Sequence, residues 1–156
     1  MTEISEIKSK PRRLIKKTLL KFIRNSVGTR MFRNFYLEQY DKIFDATKNG
    51  ELSCAFYVSS ILVIFQLIKN VHGTVENTRK DLEASGWDEV NHPVVGSVII
   101  WEPAKDQGLN EHIGFYIGRG KAISNNSIKK KIVEHDFTYD NTRMIKAIYS
   151  NPVLSE

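Results

Sequence analysis

The chain has 156 residues, 41% hydrophobic and 26% charged, with a formal net charge of +5, which suits one domain whose core needs neither disulfide nor metal. Its single cysteine excludes an internal disulfide framework. No CxxC pair, zinc-spaced His/Cys cluster, Walker loop or GxGxxG run is present, so no cofactor and no metal is expected.

In chain order, residues 1–10 read as a frayed polar end. Residues 1–33 hold ten Lys or Arg against Glu3 and Glu6, a local balance of +8 that leaves −3 for the remainder. From Pro11 to Arg24, apolar Leu14, Ile15, Leu19, Phe22 and Ile23 and Thr18 form one stripe flanked by basic residues. The expected organisation is a basic amphipathic helix within 1–27 ahead of a domain over 28–156. Three roles compete for that helix: packing on the domain with a solvated basic face, docking to an anionic membrane surface or acidic partner, and nucleic-acid binding. The last is disfavoured by the lack of an aromatic stacking platform beside the charge. Lysines interrupt the apolar residues of this segment every few positions, so neither a signal-peptide core nor a transmembrane helix fits it, and a cytoplasmic or peripheral-membrane protein is expected.

Val27 to Thr29 breaks the pattern, and Arg30 to Phe44 is aromatic-rich without a deciding period. Asn49-Gly50 signals a turn. Ser53 is placed as an N-cap for an apolar helix from about Cys54 to Asn70, the expected buried central helix. Thr74 caps a further helix that runs to Ser85, with Gly86 as its stop and Trp87 as a core anchor. After the turn at Pro93 to Gly96 the period changes to that of strands: Val98–Glu102, Ile113–Ile117, Lys121–Ser124, Ile132–His135 and Met144–Tyr149. Gly118-Arg119-Gly120 fits a tight hairpin. Helices followed by antiparallel strands indicate an α+β domain with helices on one face of a sheet of about five strands.

Taken alone, a cysteine is most often a small buried hydrophobe. Cys54, however, opens a helix, where the macrodipole favours thiolate and the unpaired N–H groups can bind an oxyanion. His112 follows the polar loop Asp106 to Glu111 and opens a strand that puts His112, Gly114 and Tyr116 on one face. Gly114 leaves room there for another group. His72 precedes a glycine and can cap carbonyls, His92 sits in a turn, and His135 on a late strand is a reserve. Cys54 and His112 together are the minimum equipment of a cysteine nucleophile, provided thiol and imidazole meet within hydrogen-bonding reach at the mouth of a groove.

Ser53-Cys54-Ala55-Phe56-Tyr57-Val58 resembles the Asp-Cys-Ser-Gly-Phe-Val box of NlpC-type papain-like cysteine peptidases. His112-Ile113-Gly114-Phe115-Tyr116-Ile117-Gly118 is similar to their His-Val-Gly-Ile-Tyr-hydrophobic-Gly strand, and Pro93 to Ile99 resembles the turn that introduces their sheet. The three boxes stand in the family's order over residues 50–127, and the related CHAP amidases share the layout. The resemblance implies a papain-like α+β fold, Cys54 as nucleophile, His112 as general base, and hydrolysis of amide bonds, typically in peptidoglycan peptides. It also implies a third residue on the strand after the hairpin that orients the histidine. The matching position is Ser124, where the family usually has histidine. Asn126 shares its face and is preferred, because a carboxamide is the commoner orienter in papain-like sites. Ala55-Phe56 departs from the family's small Ser-Gly pair and narrows the cleft, and Ser97 replaces the turn aspartate.

The expected activity is therefore amide hydrolysis through a thioester on Cys54, with a peptide or cell-wall peptide as substrate. Two alternatives stand beside it: a papain-like binding module with weak turnover, and a lipid or amine acyltransferase on the same pair.

Overall fold

The computed structural model describes residues 9–105 and 108–156. Most of the expected frayed end, and Asp106 and Gln107 of the loop before His112, lie outside the described residues. The chain is α+β, with three α-helices and two antiparallel sheets among the described residues. Helix α1 spans Ile15–Asn25, α2 Cys54–Ile64 and α3 Val75–Ala84. A hairpin of β1 (Tyr36–Gln39) and β2 (Lys42–Asp45) forms the small sheet. The large sheet contains β3 (Asp88–Glu89), β4 (Val98–Trp101), β5 (His112–Gly118), β6 (Lys121–Asn126), β7 (Lys131–Asp136) and β8 (Ile145–Ser150). Its order is β3-β8-β4-β5-β6-β7, six strands where about five are expected. The extra strand is the two-residue β3, which follows Trp87 and pairs with β8; it is too short to show a period of its own.

Strand alternation divides the core. Val98, Ile100, Ile113, Phe115, Ile117 and Ile123 join Tyr57, Val58, Ile61 and Leu62 of α2 in the main cluster. Ile99, Trp101 and Ala122 form a second cluster with Tyr116, Phe137, Tyr139 and Ile145 on the opposite face. Leu19 and Ile23 bury α1 in the main core. There Tyr57 Oη sits 2.7 Å from Ser26 Oγ, which itself donates to Ile23 O.

Helix α2 stops at Ile64, six residues short of the expected Asn70. Gln66 takes a left-handed conformation (φ 58°), and the next segment is bonded elsewhere. The Asp81 carboxylate accepts from the N–H groups of Lys69 and Asn70, and Leu67 O accepts from Trp87 Nε1. Tertiary partners thus take over the backbone groups that a longer helix would pair internally. Thr74 caps α3 by accepting from Asn77 N at 3.2 Å, and Gly86 follows at φ +86°, both at the expected places.

Candidate active site

Cys54 is the first residue of α2 and keeps part of its surface open to solvent. The preceding loop is fixed from the sheet side, where Asn125 Nδ2 donates to Gly50 O at 2.8 Å. Gly50 needs its φ of +95° and the lack of a side chain, since a Cβ there would lie 2.9 Å from Lys130 Cβ. Ser53 stands at the N-cap position, but its side chain makes no capping bond. Its Oγ is the one buried side-chain N or O atom among the described residues without a partner.

The imidazole of His112 belongs to a continuous polar chain. Its Nε2 lies 2.9 Å from Ser124 Oγ, and Ser124 Oγ lies 2.7 Å from His135 Nε2 and 3.2 Å from Tyr139 Oη. His135 Nδ1 is 2.7 Å from the backbone carbonyl of Asp136. Because a carbonyl only accepts, His135 Nδ1 carries the proton, and the Nε2 of neutral His135 must accept from Ser124. Ser124 Oγ then accepts from His112 Nε2–H. Neutral His112 is left with an unprotonated Nδ1, the nitrogen available to a thiol proton. Tyr139 can donate into the second lone pair of Ser124 Oγ.

Trp101 forms the floor, its ring centroid 5.4 Å from that of His112 and 5.6 Å from that of His135. Tyr139 stacks on His135 at 4.1 Å. The room left by Gly114 is filled by these groups, for a Cβ there would lie 2.7 Å from Ser124 Cβ and 3.1 Å from Trp101 Cζ3.

The residues expected from sequence fall out unequally. Ser124 bonds His112, whereas the preferred Asn126 does not. Asn126 Oδ1 accepts from the N–H groups of Ile128 and Lys129 and closes the β6–β7 turn, the ordinary habit of asparagine at a strand end. The reserve His135 is part of the chain. His72 caps no carbonyl through its ring, which bonds Asp81 at 2.7 Å. Tyr139 and Arg143 are additions that the sequence does not signal, since they come from the loop between β7 and β8.

The electrostatics differ from the thiolate expected at a helix N-terminus. Burial pushes the Cys54 thiol up, against the opposing pull of the Ile113 and Ala55 N–H groups and the Arg143 charge. Burial, with Arg143 and His135 adding to it, holds His112 down at about 3. Tyr139 is pushed up to about 12, mainly by burial. The resting pair is therefore neutral thiol and neutral imidazole. No direct hydrogen bond joins them among the described residues, so the expected hydrogen-bonding reach is not met. A link between them runs through the main chain, for the N–H that reaches toward Sγ belongs to Ile113, the residue after His112.

Two clefts of about 650 and 340 Å³ border the basic helix α1, and neither is lined by Cys54 or His112. No cluster of metal-ligating side chains occurs among the described residues.

No protein-family model and no curated protein matches this chain.

Proposed function

We propose that the protein is a papain-like cysteine hydrolase that cleaves amide bonds through a thioester on Cys54. The observation that carries this reading is the hydrogen-bond chain from the Asp136 carbonyl through His135 and Ser124, which leaves His112 Nδ1 unprotonated, on the strand whose next residue, Ile113, reaches its N–H toward Cys54. A histidine with one nitrogen fixed and the other unprotonated is what general-base activation of a nucleophile requires.

Because the resting pair is neutral, proton transfer accompanies attack. The thiol proton passes to His112 Nδ1 as the C–S bond forms, and the oxyanion falls toward the unpaired N–H groups of the first turn of α2. His112 then protonates the leaving amine, and water, deprotonated by the same nitrogen, hydrolyses the thioester. The NlpC-like boxes favour a peptide of peptidoglycan type as substrate. An acyltransferase on the same residues is the second reading, favoured by the exposed basic face of α1, which suits recruitment to anionic lipid.

The test is acylation. Wild type, Cys54→Ala and His112→Gln are exposed to amide and ester activity probes, and adducts are read by intact mass. An adduct that needs both residues supports the reading. Silence of wild type toward every probe, or an adduct rate indifferent to His112, overturns it.

A further inference from the structure

We propose that Arg143 is the anion-recognition residue of this site, and that the acyl donor carries a carboxylate or phosphate group beside the carbonyl attacked by Cys54. The inference rests on the acyl-transfer reading of Cys54 and His112 and names the substrate class for it.

Arg143 lies in the loop between β7 and β8 and is only partly exposed. Its Nε donates to Glu102 O at 2.8 Å and its Nη2 reaches Asn110 O at 3.4 Å. Both carbonyls belong to the segment joining β4 to β5, which ends at His112. Its guanidinium carbon lies 5.7 Å from the centroid of the Tyr139 ring, and Tyr139 Oη is bonded to Ser124. The cation is thereby held beside His112, tied both to the loop before it and to its hydrogen-bond chain, and its charge also acts on the Cys54 thiol. Among the described residues no carboxylate forms an ion pair with it.

A purely structural pin between two loops needs N–H donors, which an uncharged side chain supplies without the desolvation cost of a cation. Beyond its contact with the Tyr139 ring, a guanidinium without an ion-pair partner among the described residues is open to an arriving anion. The negative charge that develops on Cys54 Sγ as its proton leaves during attack is one such anion. A substrate carboxylate or phosphate is the other, and the planar guanidinium fork matches its paired oxygens. The covalent step needs nothing else: the C–S bond forms, the thiol proton moves to His112 Nδ1, and the bond to the leaving group breaks as that proton is passed on. The substrate's anionic group stays at Arg143 throughout.

Two alkylating agents that share a leaving group and differ in charge give a direct readout. Rates for anionic iodoacetate and neutral iodoacetamide at Cys54 are measured in wild type, Arg143→Lys and Arg143→Gln, and their ratio is compared with that of free cysteine. The ratio cancels the thiolate fraction and reports the potential felt by the incoming reagent. Wild type is expected to favour iodoacetate about tenfold relative to free cysteine. R143K should keep much of that preference and R143Q should lose it. Added salt should weaken it in wild type, a measurement that stands even if R143Q does not fold. Acylation by the 4-nitrophenyl esters of succinate, 3-phosphonopropionate and butyrate then separates carboxylate from phosphate. A charged ester should lead the neutral one about tenfold in wild type only, and whichever leads names the anion. A wild-type ratio equal to that of free cysteine, a ratio unchanged in R143Q, or equal rates for the three esters overturns the proposal. Failure of the hydrolase reading looks different: no ester acylates Cys54, yet the alkylation ratio still responds to Arg143.

Discussion

Ser124 donates to His135 and accepts from His112, so its hydroxyl sets which nitrogen of His112 is bare. Ser124→Ala removes both functions and leaves the His112 Nε2–H without its acceptor. Acylation of Cys54 should slow about 100-fold, with Cys54 still alkylated by iodoacetamide. Asn126→Ala, which only loosens a turn, should leave the acylation rate within a few-fold; intact-mass time courses of the two variants give the comparison. The pH dependence follows from the same residues. The active base is neutral imidazole, present above a pKa of about 3, so the acylation rate should show no inflection near 6.5 and persist well below pH 5. An acid limb centred near 6.5 would mean that His112 is solvated in the working enzyme. At this scale the places of Cys54 and His112 at the openings of α2 and β5 are legible in sequence. Asn126 misleads because face-sharing along a strand says nothing of a side chain's own turn bonds. The role of His135 depends on the β6–β7 register, which pairs Ala122 with His135 and Ser124 with Val133, and no local pattern encodes it.

Helix α1 joins two requirements in one segment. Leu19 and Ile23 are wholly buried, while Lys17, Lys21 and Arg24 lie on the exposed side. Leu19→Ala should cost about 2–5 kcal/mol in urea unfolding. Deleting the helix would therefore confuse a folding defect with a lost surface. Charge reversal is cleaner: Lys17→Glu with Lys21→Glu should leave the urea midpoint nearly unchanged and weaken co-sedimentation with anionic vesicles. Equal sedimentation of both forms would remove membrane recruitment from the helix and leave it as packing. The stripe that packs is readable from sequence at 3.6-residue spacing. The end of α2 is not, because Asp81 captures the N–H groups of Lys69 and Asn70 from a distant helix.

For the whole molecule, acid is the expected weak direction. His112 is neutral when folded and titrates near 6.5 when unfolded, so unfolding takes up protons and stability falls as pH drops from about 6.5 toward 3. Asp81 adds to this at lower pH. Burial raises it, but the Lys69 N–H, His72 and the Asn70 N–H pull it down to about 2, so its contribution is present above 3.8 and lost below. Asp45, also held well below the usual carboxylate range, behaves likewise. Urea midpoints should decline in two stages, and His112→Gln should shrink the first, leaving the part that His135, also held down mainly by burial, contributes. The α+β arrangement and five of the six sheet strands are legible in the sequence, because each is a short β-branched or aromatic run between turn residues. The order β3-β8-β4-β5-β6-β7 is not, since the last long strand inserts between β3 and β4.

The proton order of the candidate site is anchored on the main chain of residue 136, not on any side chain. The Asp136 side chain bears on it indirectly, because its Oδ1 accepts from Thr138 N, Thr138 Oγ1 and Asp140 N and so shapes how β7 ends; a change in that ending would scramble the relay. The acid–base asymmetry of the pair is in that sense inherited from backbone shape, and from the turn that one carboxylate keeps in place.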